Sequence, residues 1–467
     1  MVRPALLIAL CLGALTGHAD DLMTEGGDSA AESLDDHSQP TALEAATYIL
    51  ASTSTPKTLS LEECVLQAIS KHTRVALSEQ DLMAADAAAR QSLAALMPNL
   101  SAVLTSTDTH GALPSENPPP GVGADVAAIL GIPVFHGSEL FSTRSLRAAF
   151  LAKTQLHEHL KRSVELRTKE LYHIALAAKH IHDLKKRQVE RAGTLLESSK
   201  RRKAAGLHTL LDLKRAEYTL LKAKENEGNA EFAFRSALGN LGLFIGEDVH
   251  FELSDVPRPK PDDVGDAVAK THDDLFALAL ERRFDLRGQR HWIESAYIAE
   301  TSAWMAFAPS IDLDGELHYS ISGSLPDRTP FLSEVNLRLS LPLFEGGARI
   351  EAIRQAKAKS RREKLRLDYM KREVQLALRG TLQSLQSKRG DLAVKKEAKD
   401  LAQAVYQSTL NRFKEGLSTA FEVQDATNTL ATAETEEERE WLDFALLKAQ
   451  LDYTVGRQSI LEKPATE

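Results

Sequence analysis

The chain has 467 residues and a formal net charge of −9, with 57 Lys and Arg against 66 Asp and Glu and no basic block of the kind that binds nucleic acid. Two cysteines are too few for a disulfide framework. Past the N-terminus there is no run of about 18 apolar residues from which a transmembrane helix could be built.

Residues 1–19 read as a secretory signal: Arg3 is the positive n-region, residues 5–15 a short apolar core, and Gly17-His18-Ala19 a small-x-small cleavage site. A lipoprotein signal at Cys11 is disfavoured by Leu10, which stands where a small residue is wanted. Cleavage after Ala19 leaves Cys64 alone, with packing on the first helix as its expected role. A secreted chain with no transmembrane helix is periplasmic, extracellular, or a β-barrel in an outer membrane.

Residues 20–58, rich in Ala, Ser, Asp and Glu, are expected to form a disordered extension. Ser60-Leu61-Glu62-Glu63 is a helix start, and that helix should run to about Leu96, ahead of Pro98. Residues 99–110 and 122–134 read as strands around a proline-rich loop at 111–121. From 143 to 203 there is no proline and only Gly193, which predicts a helix on the order of 90 Å long and hence coiled-coil packing. Gly206 should end it, with a second helix over 209–244 whose apolar stripe begins at Leu210, Leu213, Leu220 and Leu221. Pro257, Pro259 and Pro261 mark a linker at 257–271. The plan then recurs: helix over 273–306, strands over 310–322 and 332–343 around a loop at 323–330, a very long helix over 348–414, a returning helix over 419–455, and a tail at 458–467.

The recurrence is a duplication at an offset of about 210 residues. Met97-Pro98-Asn99-Leu100 corresponds to Ala308-Pro309-Ser310-Ile311, Pro133-Val134-Phe135-His136-Gly137 to Pro342-Leu343-Phe344-Glu345-Gly346, Ala205-Gly206-Leu207 to Glu415-Gly416-Leu417, and Gly246 to Gly456. Residues 59–256 and 272–457 are therefore two copies of one helix–strand–strand–helix–helix unit.

The second-half strands have the sharpest periodicity. Ile311, Leu313, Gly315, Leu317 and Tyr319 alternate with Asp312, Asp314, Glu316, His318 and Ser320; Val335, Leu337, Leu339, Leu341 and Leu343 alternate with Glu334, Asn336, Arg338 and Ser340. Period two puts one set on each face. A soluble sheet with one face on a core fits this pattern. So does a lipid-facing barrel whose polar lumen carries Asp312, Asp314, Glu316 and Arg338, and the strands have about the length that crosses an outer membrane. The first-half strands alternate less cleanly, because Ile129 interrupts their polar side. Four strands cannot close a barrel and open edges are not tolerated in lipid, so on the membrane reading several chains share one barrel; three chains give about twelve strands.

In its duplicated plan, its two Pro-apolar-Phe-x-Gly elements and its Gly-Leu turns, the chain resembles the outer-membrane efflux protein (TolC-like) family from about Leu59 to Arg457. The resemblance implies a mainly α fold with a membrane β-barrel contribution: a homotrimer whose α-barrel tunnel in the periplasm is capped by a shared twelve-strand β-barrel in outer-membrane lipid. It implies a passive channel that does no chemistry and uses no cofactor, meeting a periplasmic adaptor coupled to an inner-membrane pump. The tips Gly206, Leu207, Gly416 and Leu417 would touch the adaptor. Acids just past the tips, Asp212, Glu422 and Asp425, would ring the pore mouth, and Phe413 stands where an aromatic gate residue is expected, with helix packing as the equal alternative. Acids in the first turn of a helix are equally explained by the helix dipole. The family's best-known member has an arginine two residues after the second-repeat glycine; here that position is Ser418, leaving Arg412, Arg202 or Lys203 as candidates for its role.

His157, His159, His173, His180 and His182 lie on one long helix at spacings poor for sharing a metal ion, and read as solvated coiled-coil surface. Lys200-Arg201-Arg202-Lys203 suits a helix C-terminus, with an adaptor contact as the alternative, and the 434–440 acidic run reads as a solvated face. No phosphate loop, nucleophile triad or metal-spaced His/Cys cluster supports an enzyme. The rival to a channel is a soluble periplasmic coiled-coil structural or adaptor protein.

Overall fold

The strongest local signals in the chain are its helix caps, and they set the element boundaries. In the computed structural model, residues 57–108, 122–206, 209–247, 251–258, 272–320 and 331–457 are described. The signal at 1–19, nearly all of the 20–58 extension, the loops at 111–121 and 323–330, most of the 257–271 linker and the 458–467 tail lie outside these residues.

The order is β1 (Lys57–Leu59), α1 (Leu61–Lys71), α2 (Thr73–Ala94), β2 (Asn99–Asp108), β3 (Val122–Phe135), α3 (Gly137–Ala204), α4 (Leu210–Ile245), β4 (Phe251–Leu253), α5 (His272–Arg282), α6 (Phe284–Met305), β5 (Ser310–Ser320), β6 (Phe331–Ser340), α7 (Ala348–Lys414) and α8 (Ala420–Val455). The duplicated unit is thus present in the fold. Ser60 with Glu63, Thr209 with Asp212 and Thr419 with Glu422 each form a reciprocal capping box, so α1, α4 and α8 start where a hydroxyl and a carboxylate satisfy the first amides. Gly246 and Gly456 end α4 and α8 in the left-handed conformation, at φ 69° and 72°.

Four expectations are corrected. Neither repeat opens with one continuous helix: His72 and Arg283, with ψ of 120° and 124°, break each into two. The cause is tertiary. Each break docks on the returning helix of its own repeat: the His72 ring packs at a tilt against Phe244, centroids 4.7 Å apart, and Arg283 Nη1 donates to the Thr454 carbonyl at 3.3 Å. A Cβ added at Gly456 would lie 3.2 Å from both Arg282 Cβ and the Arg283 amide nitrogen, so the glycine permits this approach as well as the turn. Second, Lys57–Leu59, whose first two residues were expected in the disordered extension, pairs with β4 in a two-stranded sheet, pinned by the Tyr172 hydroxyl to the carbonyls of Leu59 (3.3 Å) and Ser254 (2.5 Å). Third, α3 begins at Gly137, not near 143. Fourth, β6 ends at Ser340, with Pro342 just beyond it.

At 68 and 67 residues, α3 and α7 are each about 100 Å long. They pair with α4 and α8, and α6 lies against both α3 and α7. No single large core holds such rods; apolar clusters are spaced along them. Cys64, Tyr172, Leu241 and Ile245 share one, and Leu275, Leu378, Leu385, Phe444 and Leu451 another. The expected packing role of Cys64 is what is seen.

Polar residues fill the intervals. The 434–440 run, expected as a solvated face, is an ionic seam between three helices. Arg191 of α3 grips Glu434 through two hydrogen bonds of 2.9 and 3.2 Å, and α7 supplies Lys395 to Glu436 (2.7 Å), Lys399 to Glu437 (2.9 Å) and Lys388 to Glu440 (3.0 Å). Glu437 is only 5% exposed. The α3 histidines, expected at a solvated surface, also serve helix packing: His157 bonds Ser78 (3.0 Å), His159 bonds the Tyr453 hydroxyl (3.2 Å), His180 bonds Glu438 (3.3 Å), and His182 stacks on Phe234. Burial pushes His173 down to about 4, aided by Lys169 and Lys448, so it packs neutral.

The His180–Glu438 pair gives the molecule a pH dependence of known sign. The Glu438 bond holds His180 above its usual 6.5, against the opposing effect of burial. Burial works against the charge on Glu438, yet the His180 bond and Arg258 hold it below 4.5. The histidine's contribution is complete below 6.5 and lost as pH rises through its raised value. The carboxylate's is complete above 4.5 and lost as pH falls through its lowered value. His173, buried neutral, acts in the opposite sense over the same range, so the test compares proteins: His180→Gln should lower thermal stability more at pH 6 than at pH 8. An equal loss at both pH values would contradict this reading.

Candidate functional site

Two regions carry the chemistry-bearing residues singled out in the sequence: the four-stranded sheet and the turns that join the long helices. The sheet has the order β2-β3-β5-β6, all neighbours antiparallel, so the two repeats meet at the β3–β5 junction. Cross-strand partners share a face. The register puts Ser101, Ile129, Glu316 and Glu334 in one row, and Asn99, Gly131, Asp314 and Asn336 in another on the same side. Asp312 and Arg338 face each other on that side, and Arg338 also reaches Asp314 at 3.8 Å. His136 Nε2 lies 2.6 Å from Asp312, and His318 Nε2 lies 2.9 Å from Glu316. The four residues expected at the lumen, Asp312, Asp314, Glu316 and Arg338, are therefore brought together on one face. Ile129 is an apolar residue on that face.

The opposite face carries Leu100, Leu104, Val126, Leu130, Leu313, Leu317, Val335, Leu337 and Leu339. Leu337 is 72% exposed and Leu339 66%. Among the described residues the outer strands β2 and β6 are each paired on one side only. An apolar face beside two open edges is unstable in water and in lipid alike until other chains and a nonpolar solvent complete it.

At the helical turns, Gly206 and Gly416 have φ of 74° and 82°, and both are exposed. Leu417 is exposed too; Leu207 lies outside the described residues. Thr209 donates to Asp212 from both its amide (3.1 Å) and its hydroxyl (2.7 Å). At the equivalent place Thr419 N donates to Glu422 at 3.2 Å, and the Ser418 hydroxyl donates to the same carboxylate. The Ser418 bond, then the Thr419 amide, hold Glu422 below the usual carboxylate range, so it is charged at neutral pH. Asp425 is exposed one turn further along.

Phe413 is 3% exposed, packed with Leu195, Ala420 and Val423. Above it lies Arg202, whose guanidinium carbon is 4.1 Å from the ring centroid and whose Nη2 donates to the carbonyls of Phe413 and, at 3.3 Å, Lys414. The end of α3 thus caps the end of α7. Sequence reasoning named Arg202 among three candidates for a tip latch, but not the carbonyls it meets. A basic residue in the last helical turn was the available signal.

Among the described residues no helix is long and apolar enough to cross a membrane, and no three His, Cys, Asp or Glu side chains converge where they would hold a metal ion. A sequence profile of the outer membrane efflux protein family matches residues 65–247 and 275–451, most of both repeats. The chain belongs to that family. As an outer membrane efflux protein it resides in the outer membrane, and its family is one of channels, not of enzymes.

Solved structures agree on the fold. The outer membrane protein VceC from Vibrio cholerae is 17% identical with a TM-score of 0.70, covering 85% of this chain and 96% of that one. A membrane protein from Pseudomonas aeruginosa is 19% identical with a TM-score of 0.73, covering 85% and 93%. The open state of the Neisseria gonorrhoeae MtrE outer membrane channel is 18% identical with a TM-score of 0.69, covering 85% and 88%. No curated protein sequence matches the chain.

Proposed function

We propose that three copies of this outer membrane efflux protein form a passive exit channel serving a tripartite efflux pump or a type I secretion system. Residues 59–256 and 272–457 act as the two repeats, joined by the 257–271 linker. The observation that carries this reading is the sheet: four strands, faces sorted into apolar and charged, edges open on both sides. Joining β6 of one copy to β2 of the next three times removes every edge and closes about twelve strands, with the apolar face to lipid. Exposed apolar side chains on α4 (Tyr218, Leu221, Phe232) and α7 (Tyr369, Leu376, Val394) supply two different faces for the same head-to-tail contact along the tunnel. Native mass spectrometry of the detergent-extracted protein should give three times the chain mass. A water-soluble monomer would instead fit a periplasmic coiled-coil structural or adaptor protein.

At the periplasmic end, the tips Gly206, Leu207, Gly416 and Leu417 meet the adaptor, and Asp212, Glu422 and Asp425 ring the mouth, with Phe413 packed behind them. Three copies of each carboxylate around a narrow axis repel one another and draw cations. The double substitution Glu422→Ser, Asp425→Ser should lower cation selectivity and enlarge single-channel conductance. A channel indifferent to it has its constriction elsewhere.

A further inference from the structure

The two helical tips of one chain are built alike yet charged differently. Residues 197–217 hold six basic and three acidic residues; the equivalent stretch 407–427 holds two basic and three acidic. The excess is Lys200, Arg201, Arg202, Lys203, Lys214 and Arg215 against Arg412 and Lys414.

Capping the α3 C-terminus does not require this excess. The corresponding end of α7 carries only Arg412 and Lys414 of its own and takes one further cation, Arg202, from α3. Of the first-tip cations, Arg202 is committed to the α7 carbonyls and the Phe413 ring, and Arg215 lies over the Phe421 ring at 5.9 Å. Lys214 pairs with Glu217 at 2.8 Å, and Arg201 with Glu197 at 3.0 Å in an exposed contact of little energy. Lys200 and Lys203 are exposed, and their described electrostatic effect is at a distance, on Glu217. Beside them the first turn of α4 exposes Leu210 and Leu211 at 59% and 58%. The first tip therefore presents an apolar centre with a basic rim. That is the anatomy of a docking surface, in which the apolar part gives affinity and the charged rim selects the partner.

We propose that the first-repeat tip, centred on Leu210 and Leu211 and rimmed by Lys200, Arg201 and Lys203, docks a partner segment with an apolar turn and acidic flanks, and that the second-repeat tip does not share this preference. The proposal rests on the reading of these tips as the adaptor-contact end. It adds the chemistry of the partner and assigns it to one of the two tips. The complement must be acidic because a basic flank brought against three exposed cations is repelled, whereas carboxylates gain charge-assisted hydrogen bonds. The α4 N-terminus is already engaged in its capping box, the Asp212 amide donating to the Thr209 hydroxyl and the Thr209 amide to the Asp212 carboxylate.

The test uses the full-length protein in detergent and two synthetic antiparallel helical hairpins. One has leucines at its turn and glutamates flanking them; the other has lysines in place of the glutamates. Binding is read by fluorescence anisotropy at low and high salt. The glutamate hairpin should bind more tightly than the lysine hairpin, and the preference should shrink in high salt as exposed charges are screened. The triple substitution Lys200→Glu, Arg201→Glu, Lys203→Glu should reverse the preference, with a change of about ten-fold or more in the ratio of affinities. Equal binding of both hairpins, or a preference untouched by the triple substitution, would overturn the proposal. Single-channel conductance on the same preparations reports separately on the channel reading: channels with no hairpin preference sink the docking chemistry alone, and a hairpin preference without channels sinks only the exit-duct assignment.

Discussion

Leu337→Arg is expected to abolish assembly in the outer membrane, while Asn336→Arg, one residue away, is expected to leave it intact. Leu337 points to the apolar face beside Leu313, and Asn336 to the charged face beside Asp314. A cation on the lipid face near mid-bilayer costs about 2–4 kcal/mol, and a trimer meets that cost three times. On the other face the added guanidinium enters a row that already holds Asp314 and lies next to Glu316. The check is the yield of trimer in isolated outer membranes, with the melting of the extracted trimer as a second reading. Equal loss in both variants would mean that the sheet is not sided in the membrane.

Phe413→Ala has the second large expected effect. The ring fills the tip cluster with Leu195, Ala420 and Val423 and is the platform for Arg202. Truncating a buried phenylalanine costs about 3–5 kcal/mol. Because the long helices are held by separate clusters, the loss should stay at the tip and leave the sheet unaffected. Hydrogen exchange should accelerate at the α7–α8 turn, and single-channel conductance should rise as the tips loosen. Exchange confined to its original rate would show that Arg202's bonds to the α7 carbonyls suffice without the ring.

Much of this architecture was legible in the sequence because it is written in local signals. The Asp312-to-Ser320 alternation gave the two faces of β5, Ser60-Leu61-Glu62-Glu63 gave the start of α1, and Gly206, Gly246, Gly416 and Gly456 marked turns that only glycine adopts at no steric cost. What stayed hidden depends on partners distant in sequence. His72 and Arg283 break their helices without proline or glycine, because the break is stabilised by Phe244 in one repeat and Thr454 in the other. The 434–440 run looks like a solvated face until Lys388, Lys395 and Lys399 of α7 and Arg191 of α3 are brought against it. β1 and β4 are three residues each, too short for any periodicity to show. At the candidate site, the shared face of Asp312, Asp314, Glu316 and Arg338 was readable from period two alone. Asp212 and Glu422 were read only as pore-mouth or helix-dipole acids, although their capping boxes were readable from Thr209 and Thr419, three residues before them. The Arg202 cap on α7 was not, because helix packing alone decides which carbonyls an arginine meets.

Three copies of this chain are proposed to make a conduit through the outer membrane that opens at its periplasmic tip on contact with an adaptor. Planar-bilayer recording of the purified wild-type protein tests it most directly. The account predicts discrete, cation-preferring single-channel steps. A well-folded protein that inserts no conductance under any voltage or pH would contradict it.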